Sequence, residues 1–205
     1  MRFVFIPWVV LTLVVASSEV ALPCEQVAVH EQSEPIETIT RDISLAMKGR
    51  ADSVHSFTGT ITLYCDARVT GDVETSNGAV VLEPGSEVGG SLSNTTGAIR
   101  IDGARVGGRV STTYGDIYIG PDSHIDGGIV VHKRAVIGLS FGDDFKLGIP
   151  IGRSTPPRVV IGPRATVAGV LRFKRDVQLL VSESAKIGPV EGATPVMFAT
   201  EQAPN

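Results

Sequence analysis

Apolar residues fall in alternating pairs along this chain: Ile61 and Leu63, Val80 and Leu82, Ile99 and Ile101, Ile117 and Ile119, Val159 and Ile161. A period of two is the signature of a strand with one buried face. Glycine stands just ahead of the first four pairs, at Gly59, Gly78, Gly97 and Gly115. A second pattern lies between the pairs, in which an apolar residue, a glycine and another apolar residue sit at alternate positions. It reads Val69-Gly71-Val73, Val88-Gly90-Leu92, Val106-Gly108-Val110, Ile125-Gly127-Ile129 and Val167-Gly169-Leu171. The same alternation predicts a strand running through each of these glycines. A turn with a small residue then closes the unit, at Ala67, Ser86, Ala104, Ser123, Ala165 and Ala185.

These units repeat. Residues 69–87, 88–105 and 106–124 align with a period of 19, one copy having 18. A further copy starts at residue 125, stops at 133 and resumes at 157, so residues 134–156 form a 23-residue insertion in one coil. A short amphipathic strand cannot bury its face alone, and stacking each copy on the next solves this. The prediction is an all-β fold, a single-stranded parallel β-solenoid of about six 19-residue coils over residues 43–192. A leucine-rich repeat would need an asparagine ladder and regular leucines. A sandwich or barrel would not hold its glycines in register.

Composition adds an address. Arg2 precedes an apolar run, residues 3–16, and small residues follow at Ala16, Ser17 and Ser18. This predicts a signal peptide over residues 1–18 and an exported protein of the periplasm or cell envelope. An uncleaved anchor is the alternative, and it would be the chain's one membrane contact, although the run is short for a span and Glu19 interrupts it. Residues 19–42 read as a linker or cap over the first coil, and 193–205 as a C-terminal cap and tail carrying Pro195. The two cysteines, Cys24 and Cys65, allow one disulfide in an oxidising compartment, or stand as two unrelated thiols. A net charge of −4 with no basic run gives no expectation of nucleic-acid binding.

The repeated G-[AD]-[IV]-x-[IL] unit, with V-G-G-x-[LV] between copies, resembles the adhesin type of bacterial β-solenoid. It is also similar to the bactofilins, polymer-forming cytoskeletal proteins built from glycine-valine coils. The resemblance covers residues 43–192 and implies a right-handed solenoid and, on the bactofilin side, end-to-end assembly without nucleotide. The export signal and the insertion are departures from that pattern.

Chemistry is sparse. His30, His55, His124 and His132 read as solvated side chains, with no acid at a matching position in the coils beside His124 or His132. Asp116, Asp122 and Asp126 could gather a cation as in pectin-cleaving solenoids, but their spacing suits turn residues that bond their own backbone. Asp143 and Asp144 are a weaker cation candidate. Asn94-Thr95-Thr96 matches a glycosylation acceptor on a polar turn. Thr75, Thr95, Thr96, Thr112 and Thr113 read as an outward stripe. No catalytic residue, cofactor or metal is assigned. The insertion is too apolar for an idle loop, and Phe141, Phe145, Leu147 and Ile149 mark it as a flap or an interaction loop. These observations lead to a non-enzymatic envelope scaffold, adhesin-like, that contacts an envelope protein or glycan. A bactofilin-like polymer is the alternative, followed by a glycan-active enzyme.

Overall fold

In a computed structural model, which describes residues 35–133, 136–141, 145–150 and 155–199, the chain is an all-β parallel solenoid. Residues 1–34, which include Cys24 and His30, and Asp143, Asp144 and the tail from residue 200 lie outside the described residues. Each turn lays down three strands, one per face, and each strand pairs with its equivalent in the next turn. Faces one and two hold eight strands each and face three holds seven, so the described residues make about seven turns. Turns spaced by ~4.8 Å give a rod about 35 Å long. The ladder extends beyond the expected limits. Ile36–Thr38 pairs with the strand Val54–Thr58, and Val196–Phe198 pairs with Gln178–Ser182 beyond Pro195.

The inner ladders are the alternating pairs of the sequence. Ile43, Ile61, Val80, Ile99, Ile117, Val159 and Leu179 stack in register on face two, and all are buried. Val54, Val73, Leu92, Val110, Ile129 and Leu171 do the same on face one, as do Val69, Val88, Val106, Ile125 and Val167 on face three. Burying each such side chain contributes about 1.5–3 kcal/mol before chain entropy is counted. The small residues of the closing turns, Ala67, Ser86, Ala104, Ser123 and Ala165, are buried at the inside corner.

One sequence expectation is corrected. The V-x-G-x-V pattern is not one strand. Val106 ends a two-residue strand on face three, Val110 begins a strand on face one, and Gly108 sits at the corner between them. The reason is steric. A Cβ on Gly108 would lie 2.5 Å from the backbone of Gly90 one turn below, and a Cβ on Gly169 would lie 2.5 Å from that of Gly127. Alternation survives because the apolar residues on either side of the corner, Val106 and Val110, both point inward, so the pattern alone cannot distinguish a corner from a straight strand. The corner between faces one and two carries the other glycine column, where a Cβ on Gly78, Gly97 or Gly115 would collide with the carbonyl one turn below.

The third corner is a β-turn repeated up the rod. Lys48, Asp66, Gly85, Gly103, Asp122 and Arg164 occupy it, all with φ between 52° and 78°. Proline precedes three of them, at Pro84, Pro121 and Pro163, and the turn closes with bonds such as Ser86 N to Glu83 O at 3.1 Å. Proline followed by a left-handed residue is the type II arrangement. Four of these left-handed residues carry side chains, and two of them, Asp122 and Arg164, form a two-point ion pair across adjacent turns at 2.7 and 2.8 Å.

The threonine stripe is a second correction. Ser56, Thr75, Asn94 and Thr112 are in register, and all four are buried. Three of them bond the backbone of the glycine corner, and Ser56 Oγ lies 3.3 Å from Thr38 Oγ1. Thr75 Oγ1 donates to Gly59 O at 3.3 Å, Asn94 Nδ2 donates to Gly78 O at 2.8 Å and Gly97 O at 3.2 Å, and Thr112 Oγ1 accepts from Gly115 N at 3.0 Å. Buried backbone groups need partners, and the corner breaks the ladder that would supply them. Asn94 therefore lies in a strand with its amide engaged, not on a solvated turn. Thr95 and Thr113 remain on the outer side.

Candidate functional site

The insertion leaves the stack between Ile129–Val131 on face one and Arg158–Ile161 on face two, where the glycine column would otherwise continue. It contains an antiparallel hairpin of Val136–Phe141 and Phe145–Pro150, with Phe141 opposite Phe145, Leu139 opposite Leu147 and Ile137 opposite Ile149. Among the described residues no third strand joins it. The alternate pairs of the same register are Val136 with Pro150, Gly138 with Gly148 and Ser140 with Lys146. The four residues singled out from sequence all belong to the apolar pairs.

Residues of neighbouring turns hold the chain where it re-enters. Asp116 Oδ1 accepts from Arg158 N at 2.7 Å, linking positions 42 apart in sequence. Arg175 donates to Thr113 O at 3.0 Å and to Thr155 O at 3.3 Å, with its guanidinium 5.8 Å from the Tyr114 ring centre. These bonds tie the turns on either side of the insertion to the point of re-entry.

Beside the insertion, face one carries a groove of about 260 Å³ lined by Arg109, Gly127, Val130, His132, Val170, Arg172 and Lys174. Ser111, Val130 and Arg172 are in register on three successive turns. Val130 forms the floor and is only 7% exposed, although it occupies an outward position. Val160, the outward residue of the strand after the insertion, is also buried. Arg172 pairs with Glu191, Nε to Oε2 at 2.7 Å, which holds the Glu191 carboxyl below its ordinary range. His132 titrates below its ordinary value, first because its surroundings exclude water and then because Lys174 and Arg109 repel a charged ring. Sequence reasoning missed this cluster, since its basic residues are scattered over positions 109–174 and only the turn spacing brings them together.

The three aspartates, read from the sequence as turn residues rather than a cation set, have separate partners. Asp116 bonds Arg158 N, Asp122 pairs with Arg164, and Asp126 accepts from Arg105 at 2.7 Å and lies 2.8 Å from His124 Nε2. The acid beside His124 comes from its own turn rather than from a neighbouring coil. His55 lies 3.7 Å from Glu74. Among the described residues no three His, Cys, Asp or Glu side chains converge as metal ligands, and no helix is long and apolar enough to cross a membrane. Cys65 is buried and disulfide-bonded. Its Sγ lies 3.5 Å from Glu83 Oε2, a contact rather than a hydrogen bond because the sulfur carries no proton.

The fold defines the class of molecule, a three-faced parallel β-solenoid with one inserted hairpin. No family model, no curated protein and no solved structure matches the chain.

Proposed function

We propose that the protein is an exported, non-enzymatic scaffold of the bacterial cell envelope, in which the solenoid is a rigid rod and the inserted hairpin makes the contact. The observation that carries this reading is the hairpin itself. Its register pairs six large apolar residues, Phe141 with Phe145, Leu139 with Leu147 and Ile137 with Ile149, in a ribbon that no third described strand joins. An apolar set of that size suits a protein surface of the envelope. The disulfide-bonded Cys65 fits an oxidising compartment. Affinity capture from envelope extracts, with the full chain and with a chain lacking residues 134–156, is the test. A partner lost on deletion, with the circular dichroism spectrum and melting temperature retained, supports the reading. An unchanged set of captured proteins refutes it.

A second reading is a bactofilin-like polymer. It draws support from apolar residues left exposed at both ends of the stack, Ile39 and Phe57 on the first turns and Val196 and Met197 on the last. Terminal strand edges recruit other strands unless they are covered. Electron microscopy of the purified protein separates the readings, since only the polymer forms filaments in plain buffer.

A further inference from the structure

We infer that the groove of Arg109, His132, Arg172 and Lys174 binds an anionic oxygen group, a phosphate or a carboxylate, carried on a unit about the size of one sugar. The inference does not depend on the scaffold reading. Geometry is its first support. Adjacent turns place outward positions on a grid, with Arg109, Ser111 and Thr113 on one turn, Gly128, Val130 and His132 on the next, and Val170, Arg172 and Lys174 on the third. The middle turn is low because Gly127, which lines the notch, has no side chain and Val130 has a short one. Gly127 is fixed by stacking, as a Cβ there would collide with the backbone of Gly108 one turn below. A notch of about 260 Å³ results, with an apolar floor and cationic groups around it. That volume admits a sugar-sized unit, and the valine floor suits its C–H face.

Charge is the second support. The chain carries a net charge of −4, and several exposed arginines elsewhere are paired across turns, as Arg68 is with Glu87 and Arg105 with Asp126, whereas Lys48 and Lys186 stand singly at separate places on the rod. Arg109 and Lys174 make no side-chain hydrogen bond or ion pair among the described residues, and Glu191 engages only Arg172. Two cations without a partner among the described residues, an arginine held at two points by Glu191 and a histidine therefore face one notch. Their mutual repulsion is what an entering anion relieves, and arginine offers phosphate or carboxylate a two-point bond. His132 is held below its ordinary value first by exclusion of water and then by Lys174 and Arg109, so the two cations act on the same ring.

The test uses the full chain in nuclear magnetic resonance titrations at constant ionic strength, with inorganic phosphate, glucuronate and glucose as probes and sodium chloride as reference. Phosphate, glucuronate or both are expected to move the Gly127, Gly128 and Val130 amides saturably and to raise the titration midpoint of His132, while glucose does neither. A response to phosphate alone assigns a phosphoryl group, and a response to glucuronate alone assigns a carboxylated sugar. Arg109→Gln and Lys174→Gln should each weaken binding about tenfold, the loss of one charge-assisted bond, with unchanged melting temperature, and Lys186→Gln on face three should not. The inference is overturned if neither anion moves these signals more than chloride does, or if the two groove variants bind as the parent does.

Discussion

The polar column inside the solenoid gives the sharpest energetic test. Asn94 is 3% exposed, and its amide nitrogen donates to Gly78 O at 2.8 Å and Gly97 O at 3.2 Å, while its Oδ1 has no hydrogen-bond partner. Replacing Asn94 with Ala removes two buried hydrogen bonds, about 1 kcal/mol each, and opens a small cavity costing about 1 kcal/mol. It also removes the orphaned oxygen, which returns about 1 kcal/mol of desolvation penalty. The net expectation is a loss of about 2 kcal/mol. Asn94→Thr copies Thr75 one turn below, which keeps one donor and deletes the orphan, so it should stay within about 0.5 kcal/mol of the parent. Asn94→Val has the shape of threonine without the hydroxyl and should be less stable than Asn94→Thr by about 1–2 kcal/mol. Urea unfolding, followed by circular dichroism and tyrosine fluorescence, measures this wherever the two probes give coincident transitions. If the valine variant equals or exceeds the threonine variant, the inner hydroxyls and amide do not hold the corner carbonyls, and the account of this column fails.

Other consequences can be checked with the same methods. Gly97→Ala adds a Cβ at φ +105° against Gly78 O and should cost about 2–4 kcal/mol in urea unfolding. Lys48→Gly relieves a left-handed residue at φ 59° and should raise stability by about 1 kcal/mol. Acid should destabilise the fold in two windows. The Asp122 and Glu191 carboxyls titrate below their ordinary values because Arg164 and Arg172 hold them charged, so their contribution is present above the ordinary carboxylate range and lost as pH falls through the lowered folded values. His132 is held below its ordinary 6.5, so the unfolded chain takes up its proton first, and stability declines as pH falls through that value. Arg164→Gln should move the Asp122 midpoint upward in a carboxyl-detected titration, and an unmoved midpoint would remove the pair as the cause. Deleting residues 134–156 should leave a folded solenoid with nearly unchanged circular dichroism, because residues 133 and 157 then close a coil of normal length.

Much of this architecture is legible in the sequence because stacking forces equivalent positions to share one environment. The pairs from Ile61–Leu63 to Val159–Ile161 are inward on the same face, and the interruption at 134–156 is visible because the frame resumes intact at residue 157. Corners were harder to read. Gly108 is outwardly just another alternate position, and only the close approach of the Gly90 backbone shows that the chain bends there. Thr75 and Thr112 were misplaced for a similar reason. Threonine is a common outward strand residue, and nothing local shows that the neighbouring glycine corner leaves backbone groups needing an inner partner. The groove was invisible because Arg109, Val130, Arg172 and Lys174 meet only after three turns are stacked, two of them separated by the insertion. The hairpin register likewise needed the pairing of Phe141 with Phe145, which alternation suggests but does not fix.

The central claim is that Val80, Ile99 and Ile117 lie one above another inside the rod. Methyl-labelled protein and nuclear Overhauser spectroscopy test it most directly. Cross-peaks from the Ile99 methyls to those of both Val80 and Ile117, with no exchange contact to water, are the expected result. Missing cross-peaks on either side, or methyls in contact with solvent, would contradict the stack and everything built upon it.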